Sequence, residues 1–232
     1  MDFRQILSFL YPQVLEKINS PISGEIKVIE QFGKRRLEIG GMTQSGGIVK
    51  EIWEKGLREI RRYNDITRQR YKDTRMERVL VLGLGGGDVV RILISNIKYQ
   101  ISNINITGVE INPEIIRFGK KYFGLGRIKN LEIVIADAVR FVNQQFSRLT
   151  IQPFDLILVD LYQGREIPAG CQGERFLQSL KGLRGLKGLI VFNRLYSKDQ
   201  RGQTDKFVQK CQEIFKEVET KKAVCNLMVF CR

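Results

Sequence analysis

The sequence predicts an α/β protein: a doubly wound, Rossmann-like sheet of seven strands with an antiparallel C-terminal strand, preceded by a small N-terminal β-hairpin unit. Three observations predict this fold. From residue 79 onward, short apolar runs alternate strictly with segments of helical periodicity, which is typical of a parallel sheet with helical crossovers. The run 79–82 leads directly into the glycine-rich segment 83–87, which is typical of the strand-to-helix turn of a nucleotide site. Ahead of them, two alternating runs around Gly33 are typical of a hairpin.

The residues before 78 are predicted to form the smaller elements. Amphipathic spacing, alternation and glycine-rich breaks define them. In order, we expect an amphipathic helix over 3–18, the hairpin over 24–41, a loop over 42–47, a helix over 48–63 with Trp53 on or near its apolar face, and a polar, highly charged connector over 62–77. We therefore divide the chain into an N-terminal unit (1–62), a charged connector (63–77) and a main domain (78–232).

The main domain is predicted element by element from its apolar runs. We expect strands at 79–82, 104–109, 131–136, 154–159 and 188–192, separated by helices at 88–99, 113–123, 138–147 and 174–184. A further helix at 205–215 precedes two strands, 218–221 and 224–231. These last two strands are too close for a helical crossover, so we expect them to be antiparallel to each other.

Composition limits the class of protein. No apolar run approaches the roughly 20 residues of a membrane span, and the first residues lack the pattern of an export signal, so we expect a cytoplasmic protein with no membrane partner. The sequence contains no histidine and no C-x-x-C pair among its 4 cysteines, so we expect no metal. The net charge of +14 indicates either solvated basic faces, which we favour, or a surface for nucleic acid.

Acidic side chains follow three consecutive predicted strands. Glu110 ends the second strand about 20 residues after the glycines, where nucleotide-binding α/β proteins place a carboxylate for ribose hydroxyls. Asp137 follows the third strand, where it could read an adenine amine, cap the next helix, or do both. Asp160 follows the fourth strand. It could act as a base or orienting acid, or it could be a carboxylate that is hydrogen-bonded to backbone N–H groups or to Arg165. Since these strand ends share one sheet edge, we expect one site.

These motifs resemble the spermidine synthases and their relatives on the class I S-adenosylmethionine-dependent methyltransferase fold. The similar segments are RLEIGGMTQ (36–44), Trp53, the glycine motif (79–87), GVEINPE (108–114), ADA (136–138) and FDLILVD (154–160). The resemblance implies a homodimer and a site for S-adenosylmethionine or its decarboxylated form. By resemblance, Gln44, Glu110 and Asp137 take cofactor-binding roles and Asp160 a catalytic role. We also assign to the cofactor site Gly83, Gly85, Gly86, Gly87, Asp88, Ile111 and Ala138, and to the substrate site Trp53 and Gln163. Tyr162 is a further catalytic candidate that could gate the acceptor pocket or pack on the substrate, or could serve packing alone.

Two departures from that family's motifs concern charge. Gln163 stands where aminopropyltransferases carry a second acid, and Arg165 is nearby, so binding of a polyamine should be weakened. Gly86 aligns with the family aspartate that faces the amine of decarboxylated S-adenosylmethionine, and we expect Asp88 to point elsewhere. A site without that acid, with bare backbone N–H groups, favours a carboxylate-bearing ligand.

We therefore favour methyl transfer from S-adenosylmethionine to a small acceptor, an amine. The first alternative is aminopropyl transfer to a polyamine, which is spermidine synthase activity. The second alternative is a non-catalytic protein that binds the cofactor or nucleic acid, since fold alone does not decide function.

Overall fold

A computed structural model describes residues 9–70, 76–97, 104–147 and 152–232. The chain forms two sheets. The small sheet is antiparallel, with its four strands in sequence order: β1 (Gln13–Ser20), β2 (Gly24–Gln31), β3 (Lys34–Ile39) and β4 (Met42–Ser45). A long helix, α1 (Gly47–Arg70), follows it.

The main sheet has seven strands in the order β10-β11-β9-β8-β5-β6-β7. They are β5 (Arg78–Leu82), β6 (Asn105–Glu110), β7 (Leu131–Ile135), β8 (Phe154–Val159), β9 (Arg184–Leu195), β10 (Val218–Ala223) and β11 (Asn226–Cys231). The helices are α2 (Asp88–Ile97), α3 (Pro113–Phe123), α4 (Ala138–Phe146), α5 (Glu174–Leu183) and α6 (Arg201–Ile214). Strands β5 to β9 are mutually parallel, and β11 runs antiparallel to both β9 and β10. The predicted fold class is confirmed.

Helices cover both faces of the main sheet. Val79 and Val81 of β5 pack with α1 and α2 on one face, and Leu80 and Leu82 pack with α4 and α5 on the other, all four with no exposed surface. A strand buried on both faces explains why this run is uniformly apolar. Of the helices in the described part of the chain, none combines the length and apolarity that crossing a membrane requires.

Three expectations for the N-terminal unit were wrong. The predicted helix 3–18 is β1 from Gln13 onward, and the part before residue 9 lies outside the described residues. Pairing of β1 with β2 and burial of its apolar side chains against the small-sheet core override the amphipathic spacing. The predicted loop 42–47 contains β4, paired with β3. The helix predicted over 48–63 continues to Arg70, so the charged connector is helical up to there, and residues 71–75 lie outside the description.

The small sheet docks on α3. Its apolar face, with Ile26, Val28 and Leu37, packs on Ile115 and Phe118. At the edge, Glu16 of β1 accepts hydrogen bonds from three α3 side chains: Arg117 (2.7 Å), Lys121 (2.6 Å) and Tyr122 (2.6 Å). These contacts, that of Lys121 foremost, lower the pKa of Glu16 to about 2.

Replacing Glu16 by glutamine is expected to lower stability more at neutral pH than in acid. A depressed carboxyl pKa stabilises the folded state above the ordinary value of 4.5, and this stabilisation is lost as pH falls towards about 2. Since solvent screens the cluster, the loss at pH 7 should be only about 0.5–1 kcal/mol. Denaturant unfolding at pH 7 and pH 3 measures it, with Glu132→Gln on exposed β7 as control. An equal loss at both pH values would contradict the prediction.

Candidate functional site

The carboxyl ends of β5, β6 and β8 meet at the predicted edge. The Gly83 amide donates to the Val109 carbonyl (3.0 Å) and the Asp160 amide donates to the Leu82 carbonyl (2.8 Å). Gly83 has φ +84°, and a Cβ there would lie 2.1 Å from the Asp160 carbonyl oxygen. Only glycine therefore allows the two strand ends to approach so closely.

A pocket opens at this edge, and most of the predicted site residues line it. They are Gln44, Trp53, Gly83, Gly85, Asp88, Glu110, Ile111, Asp137, Ala138, Asp160, Tyr162 and Gln163. The small sheet supplies further lining that the sequence did not suggest, from the β1–β2 turn (Ile22, Ser23) and from Ile39 and Ser45. Among the described residues, those that line the pocket include four carboxylates but no lysine or arginine.

Gly86 and Gly87 do not line the pocket, which corrects the expectation for both. The Gly86 amide donates to Ser45 Oγ (2.7 Å), and a Cβ on Gly86 would lie 2.8 Å from that oxygen. A Cβ on Gly87 would lie 2.5 Å from Leu125 Cδ1. Both glycines serve the packing of the turn, so Gly86 is not an open position facing a ligand amine.

The backbone N–H groups of the glycine turn are not bare. Those of Gly83 and Leu84 donate to Val109, that of Gly85 to Glu110, that of Gly86 to Ser45 and that of Gly87 to Leu84. The expectation that they would receive a ligand carboxylate is therefore wrong for these five groups.

Asp88, which we expected to point elsewhere, lines the pocket. Its carboxylate accepts from the Gly46 amide and from Arg91 Nη2 (2.5 Å). Arg91 is itself held by the carbonyls of Gly86 (2.9 Å) and Phe123 (2.6 Å). Asp88 thus brings a carboxylate to the pocket whose charge is already offset by a fixed guanidinium.

Glu110 lies at the end of β6 with 7% of its surface exposed. Its Oε2 accepts from the Gly85 amide (3.0 Å) and its Oε1 from the Asn112 amide (3.1 Å). Burial raises its pKa, and these backbone bonds oppose that shift. A third backbone bond, from Ile111, also lowers that pKa, so the carboxylate keeps the capacity to accept from about one further donor.

Asp137 is both a helix cap and a pocket residue, as was considered from the sequence. It caps α4, accepting from the Arg140 amide at Oδ1 (2.8 Å), and it also lines the pocket. Ala138 beside it is buried, whereas Ile111 is 46% exposed at the pocket rim. The helix cap is observed, and the adenine contact stays a prediction.

Asp160 is held by two donors from different elements. Trp53 Nε1 of α1 donates to Oδ2 (2.8 Å) and Asn193 Nδ2 of β9 donates to Oδ1 (2.8 Å). These are neither backbone N–H groups nor Arg165, the partners considered from sequence. Burial is the main cause that raises the pKa of Asp160 to about 6, with the charge of Asp88 adding to it and the two hydrogen bonds lowering it. A carboxylate with such a pKa can take up a proton near neutral pH.

The segment after β8 lines a further part of the pocket. Tyr162 donates its hydroxyl to the Asn193 carbonyl (2.8 Å), and burial raises the pKa of that hydroxyl. This bond indicates an anchoring role for Tyr162, so the predicted catalytic role gains no support from it. Gln163 and Glu166 exchange backbone hydrogen bonds (2.8 and 3.2 Å) in a tight turn that presents Gln163 to the pocket.

No group of acidic, cysteine or histidine side chains with the arrangement of a metal site occurs in the part of the chain that the structure describes. The four cysteines are free thiols, as expected.

The sequence is similar to that of a known protein family and of individual relatives. Residues 56–227 match the family model described as "Spermine/spermidine synthase domain". The chain is 32% identical over 117 residues to a polyamine aminopropyltransferase of Vibrio vulnificus, which covers 50% of this chain and 37% of that protein. It is 28% identical over 250 residues to an eEF1A lysine and N-terminal methyltransferase homolog of Drosophila pseudoobscura pseudoobscura, covering 90% of this chain and 36% of that protein. The matches thus span little more than a third of these relatives.

The fold is also similar to a solved structure. The crystal structure of human methyltransferase-like protein 13 in complex with SAH superposes with a TM-score of 0.58 at 22% identity, covering 67% of this chain and 71% of that chain. This similarity supports the methyltransferase-like architecture of the main sheet.

Proposed function

Because the chain belongs to the spermine/spermidine synthase domain family, we propose that it is an S-adenosylmethionine-dependent methyltransferase that acts on an amine. Membership of this family confirms the resemblance inferred from the motifs. The relatives include both methyltransferases and aminopropyltransferases, which supports group transfer from an S-adenosylmethionine-type donor in general. Methyl transfer and the amine acceptor are the finer parts of the proposal.

The observation that carries the general part of the proposal, transfer from a sulfonium donor to an amine, is the charge of the pocket. In a chain of net charge +14, the pocket lining has four carboxylates and no basic side chain. Such a pocket favours cationic ligands such as a sulfonium and an ammonium, and it disfavours polyanions such as nucleic acid. Nucleic-acid binding at this edge is therefore not favoured.

The lining fits a nucleoside. Glu110, which can still accept from a further donor, would hold a ribose hydroxyl, and Asp137 with Ile111 would hold the adenine edge and face. Gln44 lies beside the glycine turn, since its backbone carbonyl oxygen is 3.5 Å from the position that a Cβ on Gly85 would occupy. When bound, S-adenosylmethionine supplies an electrophilic methyl carbon, because the positively charged sulfur takes the electron pair of the carbon–sulfur bond as that bond breaks. The protein supplies orientation and exclusion of water.

Asp160 is the proposed base. Trp53 and Asn193 occupy one lone pair on each oxygen, so the carboxylate is fixed and can still accept a proton from an acceptor ammonium. With a pKa raised to about 6, the carboxyl is ionised at pH 7 yet basic enough to help remove that proton. The acceptor enters beside Gln163, where a neutral amide replaces the acid that would bind the far end of a polyamine.

Aminopropyl transfer is the second candidate, and the position of Asp88 favours it. Asp88 is in the pocket lining, and an unpaired carboxylate there would attract the ammonium of decarboxylated S-adenosylmethionine. The bond from Arg91 offsets this attraction. The Asp88–Arg91 pair is therefore the feature that should separate the two donors.

Calorimetry should show that S-adenosylmethionine binds at least about tenfold tighter than its decarboxylated form, a difference of about 1.4 kcal/mol. Arg91→Gln is expected to shrink that preference severalfold, because the unpaired Asp88 carboxylate then repels the ligand carboxylate and attracts its ammonium. Arg175→Gln on the exposed face of α5 removes the same charge and should leave the preference unchanged.

Tighter binding of the decarboxylated form by the unsubstituted protein would overturn methyl transfer in favour of aminopropyl transfer. Binding of neither compound would overturn both and leave a non-catalytic role. Tight binding of S-adenosylmethionine should be followed by an acceptor screen that begins with small amines and includes peptides with a free N-terminus or lysine.

A further inference from the structure

Two buried asparagines continue the hydrogen-bond chain behind Asp160. Asn193 Nδ2 donates to Asp160 Oδ1 (2.8 Å), and Asn226 Nδ2 donates to Asn193 Oδ1 (2.7 Å). Only 5% of Asn193 and 3% of Asn226 is exposed. The two residues stand on β9 and β11 at the edge where the pocket opens. The chain of bonds therefore runs from the C-terminal strand to the proposed base.

The direction of these bonds fixes how each amide is turned. An amide has one accepting and one donating end, and Asn193 can donate to Asp160 only while its oxygen faces a donor. Asn226 is that donor, and its own Oδ1 accepts from Cys225 Sγ (3.3 Å). The Asn193 backbone is fixed as well, since its carbonyl accepts the Tyr162 hydroxyl (2.8 Å). Asn226 thus determines which end of the Asn193 amide meets Asp160.

We propose that Asn193 and Asn226 are positioning residues that hold the Asp160 carboxylate in the orientation and charge state needed for proton uptake. This proposal deepens the proposed function, on which the role of Asp160 rests. Buried amides that served packing alone could be exchanged for apolar side chains of similar shape at little cost. A connected and satisfied polar chain instead fixes one arrangement of the group at its end.

Other ionisable groups face Asp160 and bear on its titration. Asp88 of α2, paired with Arg91, raises the pKa of Asp160 through its charge. Glu110 of β6 and Tyr162 of the following segment are also close enough for their titration to be coupled to the Asp160 charge. Trp53, from α1, contributes a neutral donor. None of these groups is changed by substitution of Asn226, so a shift caused by an uncharged side chain there reports on the amide chain alone, whereas a charged side chain also acts on Asp160 directly.

Asn226→Asp is the discriminating variant. A carboxylate at this position is an acceptor, so the Asn193 amide turns its donating end towards it and presents its oxygen to Asp160. Asp160 then loses a hydrogen bond and gains an oxygen neighbour, and its protonation is expected to occur about one pH unit higher. The measurement is a carboxyl ¹³C NMR titration of the full chain without cofactor, with the Asp160 signal assigned by its absence in Asp160→Asn.

Asn105→Asp serves as the matched control, because it adds the same charge at the exposed start of β6 on the opposite edge of the sheet. Asn226→Leu removes the donor without adding charge and should raise the titration midpoint by a smaller amount, and it decides the question if Asn226→Asp does not fold. A folded variant that titrates with the midpoint of the unsubstituted protein would refute the positioning role. The titration needs neither cofactor nor acceptor, so it succeeds or fails independently of the proposed methyl transfer.

Discussion

Replacing Asp160 by asparagine is expected to lower the rate of methyl transfer by about 10²- to 10⁴-fold, the usual contribution of a positioned general base. An asparagine side chain cannot take up the acceptor proton near neutral pH. Rates measured from pH 5 to 8 should fall below about pH 6 in the unsubstituted protein as the Asp160 carboxyl becomes protonated, because its pKa is raised to that value. The residual rate of Asp160→Asn should lack this acidic limb.

Two comparisons separate a chemical role of Asp160 from a structural one. Binding of SAH to Asp160→Asn should stay within about threefold of the unsubstituted protein, because the proposed site assigns the nucleoside to Glu110 and Asp137. Asp199→Asn, an equal change on an exposed residue after β9, should leave the rate unaltered. A variant at position 160 that loses SAH binding together with activity would show that Asp160 mainly maintains the pocket.

Gly83→Ala is expected to destabilise the protein by about 2–5 kcal/mol. Left-handed backbone at φ +84° costs an alanine about 1–2 kcal/mol. The added Cβ would lie 2.1 Å from the Asp160 carbonyl oxygen, and forcing β5 and β8 apart adds a further cost of about 1–3 kcal/mol. Denaturant unfolding measures the sum.

Gly124→Ala is the control for the backbone contribution alone. Gly124 ends α3 at φ +68° with nothing within 4 Å of its Cβ position, so its replacement should cost only about 1 kcal/mol. Similar losses for both variants would mean that the close approach of β5 to the Asp160 backbone is unimportant for stability.

The sequence predicted the centre of the main sheet well because strands such as β5 and β8 are buried on both faces. Apolar runs such as 79–82 have no competing interpretation when helices of clear periodicity stand between them. The ends of longer elements were less predictable. β9 begins at Arg184 instead of 188 and α1 continues to Arg70. Both added stretches are mostly polar and show no apolar pattern, so the sequence did not indicate them.

The small sheet was only half predicted, for a physical reason. Hairpin β2–β3 has a local turn at Gly33 with φ +67°, which the sequence displays. β1 and β4 are strands because of what they pair with and pack against. No local pattern in 13–20 distinguishes an amphipathic helix from a strand that covers Phe118.

The candidate site followed the same division. Acids at strand ends are visible in sequence because parallel strands end at one edge. Other features of the site depend on tertiary placement, so motif alignment could not supply them. These are the atoms that surround each glycine, the ion pair of Asp88 with Arg91, and the hydrogen bond of Asn193 with Asn226. Gly86 is the clearest example. Alignment assigned a ligand contact to it, but the space beside its Cα is occupied by the Ser45 side chain.

Hydrogen bonds join the small sheet to the segment that follows Glu110, so ligand binding in the pocket is coupled to the local stability of the small sheet. Asn112, two residues beyond Glu110, donates to Ser20 Oγ and Ser23 Oγ (both 2.8 Å), and the β1–β2 turn between these serines lines the pocket. Any ligand that fills the pocket touches both sheets at once and acts as a reversible crosslink. Occupancy and local opening of the turn then form one linked equilibrium, in which amide exchange of Ser20, Ile22 and Ser23 slows as ligand concentration rises.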